Sequence, residues 1–447
     1  MGTHEESAAG DTLETARRLE AAGDFEGVVA VLRRVVEIAP LNAEAHGRLG
    51  VALRELGRLE EAIDCFDAAA ESHPGLASAH SQAALTFEAL GRFDAAIARY
   101  RRSLELQPDQ PEVRWNLALA LLLIGRLKEG WELFESRWQT RAFAGKRPTL
   151  GAPEWQGEEL HGRTLLVLPE QGFGDNIQFA RYVPLAAERG ARVVVATKPQ
   201  LVRLFASLDG AAEVRSNEPP LPPCDYWTAV MSLPRLFDAT LASIPTHTPY
   251  LRPPASAVQA WRKRIGPRPA LKVGIVWSGG ILVTRPDLFW SGVSKSLPPE
   301  VLAPFASVRG VKFYSLQKLA GPRADVAPLK ALRLVDWTSE LSDFADTAAL
   351  IEALDLVVTV DTSVAHLAGA LGKPVWTLLK VGADWRWLLD CDRSPWYPSM
   401  RLFRQQTPGD WRPAIAAATA ALQALAHEHG FSHRGFLDRL LAWRGDG

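Results

Sequence analysis

Glycines recur every 34 residues in the first third of this 447-residue chain, at Gly23, Gly57, Gly91 and Gly125. Prolines keep the same period at positions 40, 74 and 108. A small residue stands five positions after each glycine, namely Val28, Ala62, Ala96 and Gly130. Because glycine favours the end of a helix and proline cannot continue one, each period predicts a helix that ends at glycine, a second helix packed on it through the small residue, and a closing proline. A chain with this period folds as a stack of repeats.

The repeated segments resemble the tetratricopeptide repeat family, as in RELGRLEEAIDCFDAAAESHP and EALGRFDAAIARYRRSLELQP. The resemblance implies four units over residues 9–138 and a curved solenoid whose concave face binds a peptide or another protein. The fourth unit departs from the pattern, because it has Gly130 where alanine is usual and lacks the closing proline. We interpret it as a terminal unit that docks on the next domain. The alternative is an array that only stabilises or dimerises the chain.

The composition argues against several classes of partner and location. Lys plus Arg is 50 against Asp plus Glu at 51, which disfavours nucleic acid and charged membrane surfaces as partners. The three cysteines, Cys65, Cys224 and Cys391, show no metal or redox spacing, which indicates a reducing compartment. The first residues are polar and acidic, and no apolar run approaches the length of a membrane span. We therefore expect a cytoplasmic protein without a signal peptide or a membrane-spanning helix.

Short apolar runs alternate with helical patterns after a linker at residues 139–163. Strands of a first lobe are predicted at 164–168, 191–197 and 212–215, with a strand or short helix near 227–231. Strands of a second lobe are predicted at 271–279, 311–317, 332–338, 354–360 and 374–379. We place an N-terminal lobe at 164–256, a C-terminal lobe at 268–430, and a tail or helix at 431–447. The cleft between two parallel-sheet lobes is the expected ligand site.

Two strand-to-helix turns carry the candidate site. The first, EQGFGDNIQF, follows the strand at 164–168; its glycines permit a tight turn, and Asp175 and Asn176 begin a helix. The second, DTSVAH, follows the strand at 354–360. Its plain interpretation is a helix cap by Asp361 or Thr362, and the competing interpretation is an anion site at a helix amino terminus. Because both turns are present in the two predicted lobes, we favour the second interpretation.

Several motifs in order resemble the heptosyltransferase-type (family 9) glycosyltransferases: EQGFGDNIQFARY, VGIVWSGG, YSLQ and DTSVAHLAGALGKPVWTLL. The string DWRWLLDCDRSPWYPSMRLFRQ also resembles bacterial proteins that join tetratricopeptide repeats to such a domain. The resemblance covers about residues 150 to 425. It implies the GT-B fold, so the expected fold class is α + α/β, a tetratricopeptide-repeat α-solenoid followed by two Rossmann-like lobes.

The same resemblance implies an inverting sugar transfer from a nucleotide-sugar donor, without a metal or a cofactor. Asp175 is the candidate general base and Glu170 the fallback. The donor-binding residues that it implies are Lys295, Ser296, Asp361, Thr362, Ser363, His366 and Arg386. The residues that it implies for the acceptor loop are Gln171, Gly172, Gly174, Asn176 and Gln178. The Asp390-Cys391-Asp392 triplet imitates a metal motif but belongs to another kind of fold.

Three of these assignments have alternative interpretations. His366 in a packed helix can be purely structural, and Arg386 can be an arginine stacked on tryptophan in the core. The loop ILVTRPDLFWSGVSKSLPPE departs from the relatives, which carry a basic loop that ends in Arg-Ser. Lys295 is therefore expected to bind phosphate as a point charge, with Arg285 as a weaker second ligand. The apolar residues 288–290 leave open an altered donor, a lid or lost activity.

The size of the repeat array favours a protein acceptor, because a small acceptor would not need it. By analogy with repeat-fused transferases that act on flagellin, the first hypothesis is O-glycosylation of flagellin or another surface protein. A second hypothesis is transfer to a lipid-linked glycan, with the array used for assembly. A third is a non-catalytic nucleotide-sugar-binding or scaffold protein.

Overall fold

The computed structural model describes residues 2–267, 270–279, 295–318 and 327–428. The chain divides into two compact units, Met1–Thr149 and Leu150–Gly447. The division falls inside the predicted linker, and the finer domain bounds stay predictions. The predicted tail at 431–447, Arg285 and the apolar residues 288–290 lie outside the described residues.

The first unit is helical. Its helices are α1 (Gly2–Ala22), α2 (Phe25–Ile38), α3 (Ala43–Glu55), α4 (Leu59–Ser72), α5 (Ala77–Ala89), α6 (Phe93–Leu106), α7 (Pro111–Leu123) and α8 (Leu127–Phe134). Short 3-10 turns at Glu135–Gln139 and Arg141–Phe143 follow α8. The two helices predicted for each period are confirmed.

The periodic residues take the positions that their chemistry predicts. The backbone angle φ is 74° at Gly23, 76° at Gly57, 73° at Gly91 and 83° at Gly125, so each glycine ends a helix in the left-handed region. Val28, Ala62 and Ala96 are fully buried in the second helix of their repeats. Each repeat therefore buries its small residue where the two helices approach each other.

The fourth repeat replaces its alanine for a packing reason. A Cβ atom on Gly130 would lie 2.8 Å from Leu122 Cδ2 and 3.2 Å from the carbonyl oxygen of Ala118. Leu122 is fully buried, whereas the equivalent positions one, two and three periods earlier carry Glu88, Arg54 and Glu20. The buried leucine on α7 thus occupies the space that alanine would need on α8.

The N-terminal lobe of the second unit is a four-stranded parallel sheet in the order β3-β2-β1-β4. Its strands are β1 (Thr164–Leu168), β2 (Arg192–Thr197), β3 (Ala211–Ser216) and β4 (Tyr226–Ala229). Its helices are α9 (Phe173–Phe179), α10 (Val183–Glu188), α11 (Pro199–Phe205) and α12 (Leu233–Leu236). The order reverses beside β1, so the turn from β1 to α9 lies at the switch point where parallel sheets usually bind ligands.

The C-terminal lobe is a six-stranded parallel sheet in the order β10-β9-β8-β5-β6-β7. Its strands are β5 (Leu271–Val276), β6 (Val311–Ser315), β7 (Val335–Asp336), β8 (Leu356–Val360), β9 (Val375–Leu379) and β10 (Met400–Arg404). Helices α13 (Ala255–Ile265), α14 (Phe344–Glu352), α15 (Ser363–Ala370) and α16 (Arg412–Glu428) accompany it. The order reverses between β5 and β8, which places the turn from β8 to α15 at a second switch point.

The apolar runs that predicted the central strands are buried in the structure. All five residues of β8 and of β9 are buried, as expected for central strands covered on both faces. Val273, Val358 and Leu378 belong to one core cluster that also includes Ile415 and Leu422 of α16. None of the helices in the described part of the chain combines the length and apolarity needed to cross a bilayer.

Candidate active site

The turn from β1 to α9 is held by two of its own side chains. The Asn176 amide donates to the carbonyl oxygens of Glu170 (2.9 Å) and Gly172 (2.5 Å), and its oxygen accepts from the Glu170 N–H (3.2 Å). Asp175 Oδ2 accepts the Gly172 N–H at 2.7 Å. Gln171 is exposed with φ of 53°, and its carbonyl oxygen accepts from Lys198 Nζ at 2.5 Å. Asn176 therefore shapes the turn, and the Gly172 N–H of the turn orients the Asp175 carboxylate.

In the turn from β8 to α15, the residue that caps the helix differs from the candidate ligand-binding residue. Thr362 caps the helix, because its hydroxyl accepts the Val364 N–H at 3.3 Å. Asp361 instead pairs with Lys295, with Nζ and Oδ2 at 2.8 Å, and its side chain is 11% exposed. Burial lowers the pKa of Lys295, but Asp361 and Asp384 outweigh burial and the net shift is upward. The lysine thus keeps its charge next to the amino end of α15.

Ser296 contacts the residues that follow the end of β5. Its hydroxyl oxygen is 2.9 Å from that of Ser278 and accepts the Gly279 N–H at 3.1 Å. The side-chain oxygen of Gln317, the second residue after β6, accepts the N–H groups of Trp277 (3.1 Å) and Ser278 (2.9 Å). Lys295 and Ser296 are in this way connected to the same sheet edge as Asp361 and Thr362.

The two lobes touch where α9 meets α15. A Cβ atom on Gly174 would lie 2.8 Å from His366 Cδ2 and 3.5 Å from Ser363 Cα. Only a residue without a side chain permits this approach. The two turns that the sequence singled out are therefore in van der Waals contact, one from each lobe.

His366 is buried in that contact. Its Nδ1 lies 3.0 Å from the Tyr397 hydroxyl, and its ring stacks on Trp387 with centroids 5.2 Å apart. Burial, followed by the charge of Arg386, holds the pKa of His366 well below its usual range. The imidazole is therefore neutral, and its described contacts fit the structural alternative.

Arg386 joins the lobes. It lies in the 3-10 turn Trp385–Trp387 and its guanidinium donates to Asp384 of its own lobe and to Asp175 and Gln178 of α9. Burial lowers the pKa of Arg386, but Asp384 and Asp175 outweigh burial and raise it. The guanidinium also lies 4.3 Å from the centroid of Trp385, which is the stacked arrangement of the alternative interpretation.

Three charged residues of this region were not predicted. Lys198 directly follows β2 and Lys380 directly follows β9, so the rule that ligands gather at strand ends could have found both. Burial lowers the pKa of each lysine. Asp384 precedes the Trp385–Trp387 turn and accepts the Arg386 N–H, which is a capping pattern. Burial raises the pKa of Asp384, but Arg386 and Lys295 outweigh burial and lower it.

The triplet at 390–392 is tied to β10. The Cys391 carbonyl accepts from Arg404 Nε at 2.9 Å, and the Asp392 carbonyl accepts the Leu402 N–H at 2.7 Å. Among the described residues, no cluster of three His, Cys, Asp or Glu side chains is arranged to hold a metal ion.

Comparison with known proteins distinguishes the two units. Sequence models of the tetratricopeptide repeat match residues 41–109 and 82–142. The first unit is a tetratricopeptide-repeat array. The model of glycosyltransferase family 9 (heptosyltransferase) matches residues 341–387, a segment that contains α14, α15 and Arg386. The chain therefore joins tetratricopeptide repeats to an α/β unit that carries a family 9 segment.

Protein FlbA of Caulobacter vibrioides (strain ATCC 19089 / CIP 103742 / CB 15) is 28% identical to this chain over 334 residues. The match covers 69% of this chain and 54% of FlbA, so the chain spans about half the length of this curated relative.

Solved structures match the tetratricopeptide repeats. The crystal structure of MamA is 21% identical and covers 29% of this chain and 77% of its own, with a TM-score of 0.29. YrrB, described as a TPR protein with an unusual peptide-binding site, is 19% identical and covers 29% of this chain and 68% of its own, with a TM-score of 0.27. The first TPR of Spaghetti (RPAP3), bound to the HSP90 peptide SRMEEVD, is 20% identical and covers 25% and 89%, with a TM-score of 0.25.

Proposed function

We propose that this protein is an inverting glycosyltransferase that moves a sugar from a nucleotide-sugar donor to an acceptor recruited by its repeats. The observation that carries the proposal is the contact between the two turns, with the Lys295–Asp361 pair on one side and Asp175 on the other. The family 9 segment at 341–387 includes Asp361 and the amino end of α15.

The C-terminal lobe would hold the leaving phosphate. Lys295 supplies a positive charge, and Ser296 supplies a hydroxyl at the same sheet edge. The first N–H groups of α15, beginning at Ser363, add the partial positive charge of a helix amino terminus. Together these groups would offset the charge that develops on the phosphate as the glycosidic bond breaks. Asp361 would accept hydrogen bonds from hydroxyls of the sugar.

The N-terminal lobe would supply the base. Asp175 would take the proton of the acceptor hydroxyl as its oxygen attacks the anomeric carbon, and direct attack opposite the phosphate inverts that carbon. A carboxylate in this role accelerates the step by roughly 100 to 10,000-fold. One oxygen of Asp175 accepts from the Gly172 N–H and the other from Arg386, and each oxygen has a second lone pair for the acceptor. Glu170, 7% exposed, is the weaker candidate.

The repeats would present a protein acceptor. FlbA and this chain are similar over 334 residues, and the present chain combines an array with a candidate transfer site. Flagellin or another surface protein is the proposed acceptor class. A lipid-linked glycan acceptor and a binding protein without transfer are the alternatives that the experiments below separate.

The first experiment is calorimetric titration of the full chain with UDP, GDP, ADP, CMP and their sugar conjugates. Lys295→Ala and Asp361→Ala test the site, and Lys263→Ala, an exposed residue of α13, is the matched control. We expect one nucleotide to bind, with at least about tenfold weaker binding in Lys295→Ala and unchanged binding in the control. Absence of binding by every nucleotide would refute the proposed donor site.

The second experiment assigns the acceptor. The bound nucleotide sugar, radiolabelled, is incubated with the protein and a lysate from a strain that lacks the gene. Label in a protein band supports the proposal, and label only in the lipid or glycan fraction favours the lipid-linked alternative. Nucleotide binding without any transfer would indicate the binding protein.

A further inference from the structure

Each nitrogen of the Arg386 guanidinium has its own partner. Nε donates to Gln178 Oε1 at 2.7 Å, Nη1 donates to Asp384 Oδ1 at 2.8 Å, and Nη2 donates to Asp175 Oδ1. The side chain is 8% exposed and lies over Trp385. This guanidinium is oriented by protein groups on three sides.

Two of these partners lie on one helix of the opposite lobe. Asp175 and Gln178 are three residues apart on α9, so they project from the same face of the helix. Gln178 is fully buried, and its Nε2 has no hydrogen-bond partner among the described residues. The amide is therefore oriented by its bond to Arg386. Arg386 thus bonds two side chains on one face of α9.

We propose that Arg386 is a positioning residue that acts on the reaction through Asp175, and does not bind the donor phosphate. The inference rests on the proposed function of Asp175 as the base. By bonding Oδ1 of Asp175 and the Gln178 amide on the same face of α9, the guanidinium sets where the free lone pairs of the Asp175 carboxylate point. Lysine cannot replace it, because an ammonium group lacks the planar fork that reaches Asp384, Gln178 and Asp175 together.

The two possible roles of Arg386 predict different kinetics. Asp175→Asn removes the base, and we expect it to lower kcat in the transfer assay by about 100-fold or more. If Arg386 acts through Asp175, Arg386→Lys lowers kcat by about tenfold, leaves the donor KM within about twofold, and causes no further loss in the Asp175→Asn background. A donor KM that rises about tenfold in both backgrounds would show a direct phosphate contact and overturn the assignment.

A second readout does not depend on activity. The thermal unfolding midpoints of Arg386→Lys, Asp175→Asn and the double variant form a cycle. Its matched control is the cycle of Arg203→Lys and Asp346→Asn, a pair that also joins the lobes but whose arginine is 50% exposed. We expect the first cycle to depart from additivity by at least about 2 °C and the control to be additive within about 1 °C.

The combined outcomes separate this inference from the proposed function. An additive first cycle in an active enzyme refutes the positioning role alone. A coupled cycle in a protein that transfers no sugar to any acceptor refutes the proposed function, and with it the positioning role of Arg386 in the reaction. Coupling together with a loss confined to kcat supports both.

Discussion

Glu88, near the end of α5, carries a carboxylate that accepts the Tyr100 hydroxyl at 3.0 Å. Burial raises the pKa of Glu88 to about 7, although the hydrogen bond from Tyr100 lowers it. Tyr100 is itself fully buried. Glu88 is therefore a carboxylate of the repeat array that changes its charge near neutral pH.

The sign of the resulting pH dependence follows from the two pKa values. The folded protein binds the Glu88 proton more tightly than the unfolded chain, so this stabilisation is complete below pH 4.5 and is lost as the pH rises through about 7. The full difference is about 3 kcal/mol, of which about 2 kcal/mol falls between pH 5.5 and pH 8.5. We expect the midpoint of the repeat transition to be about 5 °C higher at pH 5.5 than at pH 8.5, measured by circular dichroism.

Two variants test the assignment to this side chain. Glu88→Gln keeps the size of the side chain and should abolish most of the difference between the two pH values. Glu37→Gln changes an exposed carboxylate in α2 and should leave the difference intact. An unchanged difference in Glu88→Gln would assign the pH dependence to other groups.

At the scale of elements, the closest approach between the lobes is the packing of α9 on α15. Gly174→Ala adds a Cβ atom 2.8 Å from His366 Cδ2, and the buried ring has Trp387 and Tyr397 on its other sides. Overpacking of this kind costs about 1 to 3 kcal/mol, which exceeds the gain of up to about 1 kcal/mol in helix propensity. We expect a lower unfolding midpoint for the α/β unit, measured by differential scanning calorimetry.

Gly151→Ala is the matched control, because a Cβ atom there has no neighbour within 4 Å. Its midpoint should change by no more than the equivalent of about 0.5 kcal/mol. Equal effects of the two substitutions would mean that α9 and α15 do not pack as closely as described.

Periodicity predicted the elements whose residues are buried on a regular pattern. β1, β2 and β5 to β9 lie within the apolar runs that predicted strands, although the run at 332–338 yields only the two residues of β7. β10 was missed, because Arg401 and Arg404 interrupt its apolar residues, as is common in a strand at the edge of a sheet. Helix α16 was also missed as an element, although its alanines favour a helix.

The candidate site was predictable only in part, for a physical reason. Asp175 and Asp361 could be found because each stands beside the end of a predicted strand. Lys295 and Arg386 were also assigned to the site, but their pairing with Asp361 and Asp175 was not predicted, because charge pairing depends on tertiary distance; Arg386 is 211 residues from Asp175. The assignment of Arg386 to the donor stays a prediction, and its described contacts, to Asp175, Gln178, Asp384 and Trp385, are the basis of the different role proposed above.

At the scale of the whole molecule, each of the two units contains buried apolar clusters of its own. Clusters around Leu32 and Phe66 and around Tyr100 and Leu121 lie in the repeats, while a cluster of the C-terminal lobe surrounds β5 and β8. We expect calorimetry of the full chain to resolve two transitions. A nucleotide at 100 times its dissociation constant should stabilise only the α/β unit, by about 2.7 kcal/mol.

The control for this prediction is the variant Glu88→Gln, which should shift only the unfolding transition of the repeats. A nucleotide that moves both transitions equally would show that the two units unfold together, and would refute this prediction.

The order of elements along the chain also has a consequence for synthesis. The repeats form from helices that are neighbours in sequence, whereas β5 pairs with β8, about 80 residues later, as in the bond between Lys272 and Asp355, 83 residues apart. Local contacts form quickly and distant strand pairs slowly. Because domains nearer the amino terminus complete first on the ribosome, the array is folded while the lobes are still being translated. Under the proposed function, the nascent chain can hold its acceptor before the transfer site exists.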